Sequence, residues 1–157
     1  MRFHTFRRAQ WIPRPIDEVF AFFSDARNLE DITPSWLGFR ILTPGPIQIA
    51  EGTRIRYRLR LHGIPVGWET EIRRWNPPNR FVDVQLDGPY QLWHHTHRFE
   101  PKDGGTLMMD IVRYRLPFGI IGRFVHRLKV RRDVERIFDH RAQHIQEALR
   151  AVTVEVR

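Results

Sequence analysis

Three histidines lie close together at His94, His95 and His97, and these residues are the best candidates for chemistry in the chain. The segment alternates as a β-strand does, which places His95 and His97 on one face and His94 on the other. A hairpin that turns near Gly104–Gly105 sets His97 opposite Asp110. An imidazole held by a carboxylate titrates near neutrality and can act as a general acid or base. The pattern predicts either a catalytic His97–Asp110 pair or a buried pair that supports the hairpin or orients a ligand, and we favour the second.

Neighbouring histidines also suggest a metal site. Only His95 and His97 share a face, so further ligands would have to come from Asp110 or from elsewhere. The chain has no cysteine, which excludes disulfides, thiolate catalysis and cysteine-bound zinc. We therefore expect no metal and no cofactor.

Several other side chains suit the wall of a mainly apolar pocket, which usually carries a few polar groups. Tyr57 and Tyr114 offer hydroxyl groups, and Gln85 faces inward only if its strand is bulged or reversed. Trp36 either closes the mouth of the pocket or caps the core. The predicted ligand-binding residues are Trp36, Tyr57, Gln85, Trp93, His95, His97, Tyr114 and Phe124.

A long amphipathic helix is predicted from about Phe118 to about Leu149, because no proline interrupts the chain after Pro117. Apolar residues recur along one stripe of this helix at the helical period, as an amphipathic segment requires. The stripe consists of Ile120, Phe124, Val134, Phe138, Ile145 and Leu149.

The same stripe contains Arg127, Arg131 and Arg141, which a simple buried helix would not tolerate. Two arrangements are open. Either the helix kinks near Val130–Asp133, so that the first two arginines leave the stripe, or some of the arginines reach past the sheet edge or into the cavity to meet a carboxylate. We favour the kink.

Ahead of this helix the chain reads as seven strands, with two short helices after the first strand. The clearest strand is Thr53–Leu61, in which apolar residues alternate with arginines, so that one face is core and the other solvent. A turn at His62–Pro65 predicts that Tyr57 lies opposite Thr70 in the following hairpin.

The chain has 157 residues, which predicts one domain over residues 1–157. It lacks an apolar run long enough to span a bilayer and a signal-peptide pattern at its start, which predicts a cytoplasmic protein. The net charge of +8 could indicate nucleic acid or an anionic membrane as partner. We favour a solvated basic face on the last helix instead, so nucleic acid is not the expected partner, while peripheral membrane contact and the oligomeric state stay open.

Particular motifs add to this pattern of elements. They are Pro13-Arg14-Pro15 followed by Val19-Phe20, Thr33-Pro34-Ser35-Trp36, Trp75-x-Pro77, Phe81-Val82-Asp83, Gly88-Pro89-Tyr90-x-x-Trp93-x-His95-x-His97-x-Phe99, and Gly105-Thr106 with Asp110. With them the chain resembles the START-like, helix-grip (SRPBCC) superfamily, which includes polyketide cyclase/dehydrase-type proteins. The resemblance implies an α+β helix-grip fold, in which a seven-stranded antiparallel sheet curls around a long C-terminal helix and encloses an apolar cavity.

The resemblance does not imply one activity, because the superfamily includes lipid carriers, hormone receptors, aromatases and cyclases. The first expectation is a non-catalytic protein that binds a hydrophobic or aromatic small molecule, such as a lipid, a quinone or a polyketide-like compound. The alternatives are a cyclase/dehydratase-type enzyme that uses the His97–Asp110 pair, and a nucleic-acid or membrane-binding protein that uses its arginine-rich helix.

Overall fold

One antiparallel sheet organises the protein, for which a computed structural model describes residues 3–117, 129–150 and 152–154. Its eight strands lie in the order β2-β3-β4-β5-β6-β7-β1-β8. The seven predicted strands are confirmed, and a short eighth strand pairs with β1 at the far edge. The strands are β1 (His4–Ile12), β2 (Arg40–Ile41), β3 (Arg54–Leu61), β4 (Ile64–Asn76), β5 (Arg80–Asp87), β6 (Leu92–Lys102), β7 (Gly105–Arg115) and β8 (Val152–Val154).

The two predicted short helices follow β1 and are confirmed as α1 (Ile16–Ser24) and α2 (Ala26–Asp31). Pro15 precedes the first turn of α1, where its fixed φ favours helix entry. The side chain of Asp25 caps α2 by accepting a hydrogen bond from the backbone N–H of Arg27 at 2.9 Å. A 3-10 turn at Ser35–Leu37 leads into β2.

The C-terminal helix, α3 (Arg131–Leu149), lies against the sheet and confirms the helix-grip prediction. Its Val134 and Phe138 pack on Val112 and Tyr114 of β7. Nearer its C-terminus, Ile145 joins the core formed by the sheet and the two short helices. None of the helices within the described ranges is long and apolar enough to cross a membrane.

The predicted start of this helix near Phe118 lies outside the described residues, as do Ile120, Phe124 and Arg127. A wider, π-type turn at Lys129 and Val130 precedes α3.

Within the described part of α3, the two arginines of the apolar stripe have different environments. Arg131 is exposed and its Nε lies 3.0 Å from Glu135 Oε1, whereas Arg141 is buried. Arg141 Nη2 lies 3.9 Å from Asp110 Oδ1 on the sheet. Arg141 therefore follows the second of the two predicted arrangements, in which an arginine of the stripe meets a carboxylate, although we favoured the kink.

The β6–β7 hairpin has the predicted register, with His97 opposite Asp110 and Phe99 opposite Met108. The β3–β4 hairpin does not, because Tyr57 lies opposite Trp68 instead of Thr70. Its turn contains only His62 and Gly63, which both adopt positive φ as two-residue hairpin turns require. The sequence predicts a turn of four residues, which moves the predicted β3–β4 pairing two positions from the observed one. Because side chains alternate every second residue, each residue is still predicted on its correct face of the sheet.

Candidate functional site

A cavity of about 190 Å³ lies between the concave face of the sheet, α2 and α3. Most of its wall is apolar or aromatic, and a compact group of charged and imidazole side chains forms one region of the wall. The main apolar contributors are Phe23, Leu59, Trp68, Tyr90, Trp93 and Ile137.

The aromatic part of the wall is a connected set of rings. Tyr57 stacks on Trp68 with ring centroids 5.9 Å apart, and Trp68 meets Trp93 edge-on at 5.4 Å. Tyr90 lies 4.8 Å from Trp93 and contacts Trp68 at 5.6 Å. Since these rings support each other through offset and edge-to-face contacts, the wall is preorganised for another flat apolar group.

Tyr90 is held in this wall through its backbone. Gln85 Nε2 donates to the Tyr90 carbonyl at 2.7 Å, and the Tyr90 N–H donates to Gln85 Oε1 at 3.2 Å. The amide side chain therefore continues the hydrogen bonding of β5 into the following loop.

Two histidines and two aspartates form the polar region, which we call the His–Asp cluster: His95, His97, Asp83 and Asp110. The closest pairs are His95 Nε2 with Asp110 Oδ1 and His97 Nε2 with Asp83 Oδ2, both at 2.7 Å. Each imidazole also faces the other carboxylate, since His95 Nδ1 lies 3.7 Å from Asp83 Oδ2 and His97 Nδ1 lies 3.5 Å from Asp110 Oδ1. The two rings are 3.8 Å apart between centroids.

Three neighbouring strands build this cluster. In the sheet register Asp83 of β5 lies opposite His95 of β6, and Asp110 of β7 lies opposite His97. All four side chains point to the concave face because residues at alternate positions of a strand share a face. The strand geometry therefore brings two carboxylates and two imidazoles together in the protein interior.

Arg141 of α3 completes the charge distribution. Its Nη2 lies 3.9 Å from Asp110 Oδ1, and its guanidinium carbon lies 5.6 Å from the centre of the Phe23 ring and 5.7 Å from that of Phe138. An arginine is buried only when it is paired, and these contacts supply a carboxylate and two aromatic faces.

Burial and charge shift the protonation of the cluster. Burial lowers the pKa of His97 to about 4, although its hydrogen bond to Asp83 partly opposes this shift. Burial alone would raise the pKa of Asp110, but the Arg141 charge and the His95 hydrogen bond outweigh it, and this pKa lies well below its usual range. The pKa of Asp83 is also lowered, because the two imidazoles and Arg141 outweigh the effect of burial. At neutral pH both carboxylates are therefore ionised and His97 is uncharged.

Four of the eight predicted ligand-binding residues line the cavity: Tyr57, Trp93, His95 and His97. Burial raises the pKa of the Tyr57 hydroxyl well above its usual value, so this group is a neutral hydrogen-bonding group. Phe124 lies outside the described residues.

Three predicted residues are placed elsewhere than on the cavity wall formed by the described residues. Gln85 holds the loop backbone, as its strand turns its amide to Tyr90. Tyr114 is buried behind Trp93, at a centroid distance of 5.9 Å. Trp36 is half exposed and packs on the outer side of α3, beneath the guanidinium of Arg136.

The predicted catalytic pair is only partly formed. His97 and Asp110 are cross-strand neighbours as expected, but His97 makes its short contact to Asp83, and His95 makes the short contact to Asp110. The side chains reach diagonally across the strands, which a register alone does not reveal.

Sequence reasoning missed Asp83 as a site residue and Trp68 as a wall residue, and it left the carboxylate partner of Arg141, which is Asp110, unnamed. A signal for Asp83 exists in Phe81-x-Asp83, because the alternation that buries Phe81 turns Asp83 to the same face. The signal for Arg141 is its position on an otherwise apolar stripe.

Comparison with solved structures identifies the same architecture in distant proteins. The structure of TTHA0849 from Thermus thermophilus is similar with a TM-score of 0.74 at 20% identity, covering 93% of this chain and 97% of that one. A START superfamily protein from Mycobacterium smegmatis gives a TM-score of 0.66 at 13% identity, with 94% and 97% covered. Ara h 8.0201 gives a TM-score of 0.63 at 15% identity, with 94% and 98% covered. At these identities the similarity shows the fold alone.

No curated protein sequence matches the chain. The family profile described as "Polyketide cyclase / dehydrase and lipid transport" matches residues 12–138, a range that includes the His–Asp cluster, the first two turns of α3 and every described residue that lines the cavity except Arg141. Membership in this family implies a cavity for a small hydrophobic ligand, and the cavity described above is such a site. The chain therefore belongs to the polyketide cyclase/dehydrase and lipid transport family.

Proposed function

We propose that this protein binds a small, mainly apolar molecule with an aromatic or quinone-like ring and at least one oxygen, held between the sheet and α3. The observation that carries this proposal is a cavity of about 190 Å³ with a mainly apolar and aromatic wall and a compact group of imidazole and charged side chains in it. Such a combination fixes the orientation of a ligand while burying most of its surface.

Cavity size favours a ring over a long chain. A dry apolar cavity of about 150 Å³ takes up benzene, so a cavity slightly larger than this accommodates one substituted ring without expansion. A lipid with a long acyl chain would need the cavity to widen or would have to leave part of the chain outside. A quinone head group or a single-ring, polyketide-like aromatic fits better.

Hydrogen-bonding capacity also supports a ligand with oxygen atoms. Within the described part of the chain, Trp68 Nε1, His97 Nδ1 and Arg141 Nε are buried without a hydrogen-bond partner. All three belong to residues that line the cavity. Because an unsatisfied buried donor costs about 1–3 kcal/mol, a ligand carbonyl or hydroxyl that accepts from the indole or the guanidinium N–H gains affinity.

The expected result for the purified protein is a copurified small molecule in native mass spectrometry, or a rise in melting temperature with quinones or phenolic single-ring compounds. Ile137→Phe projects extra volume into the cavity from α3 and should weaken binding at least about tenfold, which corresponds to about 1.4 kcal/mol. The matched control is Ile64→Phe, since Ile64 is 66% exposed and lies at the β3–β4 turn. We would abandon the binding function if neither a copurified ligand nor a thermal shift with lipids, quinones or polyketide-like aromatics were found.

An enzyme of the cyclase/dehydratase type is the second candidate, because two His–Asp pairs lie at the cavity. Its weakness is that a His97 with a pKa of about 4 is uncharged at neutral pH and is a weak base. If the protein is nevertheless an enzyme of this type, His97→Ala should abolish turnover of a polyketide-like substrate and preserve its binding, as measured by product analysis and titration. An unchanged rate would remove His97 from the mechanism.

A nucleic-acid partner is not part of this proposal. α3 contains four arginines and four acidic residues, so the described helix has no excess of basic side chains. Arg131 is paired with Glu135, and Arg141 is buried. A surface that binds phosphates needs several free cations, and two of the four arginines of α3 are already engaged with carboxylates.

A further inference from the structure

We propose that the His–Asp cluster is a binding site for a divalent transition-metal ion such as Zn²⁺, with Asp83 Oδ2, His95 Nδ1 and His97 Nε2 as its ligands. Each of these residues offers one ligand atom, and the three atoms lie within 4.8 Å of one another. Two imidazoles and one carboxylate are a donor set suited to zinc and to ferrous iron.

Distances between the ligand atoms suit one small ion. Asp83 Oδ2 lies 3.7 Å from His95 Nδ1 and 2.7 Å from His97 Nε2. Ligand atoms about 2.0–2.2 Å from a tetrahedral ion are about 3.3 Å from one another, so the two distances bracket the requirement. All three ligand atoms lie within 4.8 Å of one another, so binding one ion would require rotations of these side chains.

The outer contact of His95 supports this assignment most strongly. A histidine that binds a metal through one nitrogen almost always donates its other N–H to a carboxylate, carbonyl or water. When His95 binds through Nδ1, its Nε2–H is 2.7 Å from Asp110 Oδ1. When His97 binds through Nε2, its Nδ1 lies 3.5 Å from the same oxygen, and this nitrogen has no hydrogen-bond partner as the structure stands. Asp110, with Arg141 beside it, therefore accepts from one imidazole and lies near the free nitrogen of the other.

The two imidazoles present different nitrogens to Asp83. His95 faces it with Nδ1, and His97 faces it with Nε2. A hydrogen-bonded pair alone does not require both rings to turn different nitrogens towards one oxygen. His97 Nδ1, which is buried without a hydrogen-bond partner, lies 3.5 Å from Asp110 Oδ1, so a small rotation of the ring would let it donate to that oxygen when Nε2 binds the ion.

The carboxylates of the cluster also suit a cation. Arg141 Nη2 lies 3.9 Å from Asp110 Oδ1, and an ion at Asp83, His95 and His97 places a positive charge beside the second carboxylate. With only three protein ligands, the ion keeps at least one position for water or for an oxygen of a molecule in the cavity.

The sequence-based expectation of no metal depended on the lack of a third ligand near His95 and His97. Asp83 on the neighbouring strand supplies a carboxylate that the sequence did not place there. The site does not depend on the ligand proposed above, so the two proposals can fail separately.

A first test is isothermal titration of the chelator-treated full chain with Zn²⁺ and with Co²⁺, for which we expect one ion per chain. Asp83→Asn should weaken binding by more than the about 10- to 100-fold that the loss of an outer hydrogen-bond partner causes, and Asp110→Asn should fall within that range. His94→Gln is the matched control, because His94 lies on the opposite face of β6, and it should bind as the wild type does.

A competing surface site must be removed in the same experiment. His140 and His144 of α3 have ring centroids 4.2 Å apart and could chelate an ion. The variant His140→Ala should retain binding at one equivalent if the His–Asp cluster is the site. Binding that disappears in His140→Ala and persists in Asp83→Asn would overturn the proposal, as would the absence of binding in the wild type.

A second measurement needs no change in the cluster and therefore does not depend on whether Asp83→Asn folds. ¹⁵N NMR of the imidazole nitrogens in His140→Ala should report Zn²⁺ bound to Nδ1 of His95 and Nε2 of His97, with protons on the other two nitrogens. Spectra in which neither ring changes on saturation with Zn²⁺ would contradict the proposed site.

Discussion

Asp110→Ala should lower the free energy of unfolding by about 3–5 kcal/mol, measured by urea denaturation with a chelator present. The substitution removes the carboxylate beside Arg141 and the acceptor of the His95 hydrogen bond, but leaves the guanidinium buried. A buried charge without its partner costs far more than the pair contributes, because the desolvation cost of the remaining group is no longer offset.

A surface ion pair provides the control. Arg8 of β1 pairs with Asp139 of α3, and the Asp139 side chain is 62% exposed. Asp139→Ala should change the stability by at most about 1 kcal/mol, since exposed pairs contribute little.

The double variant Asp110→Ala/Arg141→Met separates a charge effect from a packing effect. Met replaces the buried guanidinium by an apolar side chain that adapts to irregular spaces, so part of the lost stability should return. A single variant that loses less than about 1 kcal/mol, or a double variant that equals the sum of the two single changes, would refute the ion pair as the cause.

Phe99→Ala should reduce the stability by about 3–5 kcal/mol, since truncation of a buried Phe removes apolar contacts and leaves a cavity. Phe99 is completely buried and lies 5.5 Å, between ring centroids, from both Phe20 and Phe23 of α1. Its ring also stacks at 6.1 Å on Phe81, the residue that packs against the His97 imidazole. It thus joins α1 to the sheet next to the His–Asp cluster.

Leu86→Ala is the matched control on the same sheet, because Leu86 is 40% exposed and should change the stability by about 0.5 kcal/mol or less. Thermal and urea denaturation of both variants decide the question. Equal losses for Phe99→Ala and Leu86→Ala would show that α1 is not held to the sheet through this ring.

Local patterns predict the parts of this fold that depend on short-range geometry. The β6–β7 pairing follows from a two-residue turn with positive φ at Asp103 and Gly104, and the strand alternation then brings His97 beside Asp110. The tight turn at His62 and Gly63 has the same geometry, but Pro65 shortly after it is a typical turn residue, so the sequence predicts a turn that is two residues too long and the predicted pairing shifts by two positions.

The composition of the His–Asp cluster could not be predicted in the same way. The β5–β6 pairing begins with Val84 opposite His94 and spans a longer loop, whose length does not fix the register. Whether Asp83 meets His95 is decided by the packing of the whole sheet. Arg141 likewise finds Asp110 only once α3 has docked, and helical periodicity alone cannot distinguish this contact from a kink.

The arrangement of Asp83, Asp110 and Arg141 also has a consequence for which molecules can enter. Asp83 and Asp110 are both ionised at neutral pH, and Arg141 lies beside only one of them, Asp110. The carboxylate of Asp83 therefore disfavours a fatty acid or other carboxylate that approaches this region head-first, whereas a neutral carbonyl, phenol or quinone meets no such repulsion. The cavity would then select its ligand by electric charge as well as by shape, and a metal ion bound at the cluster would weaken the selection against anions.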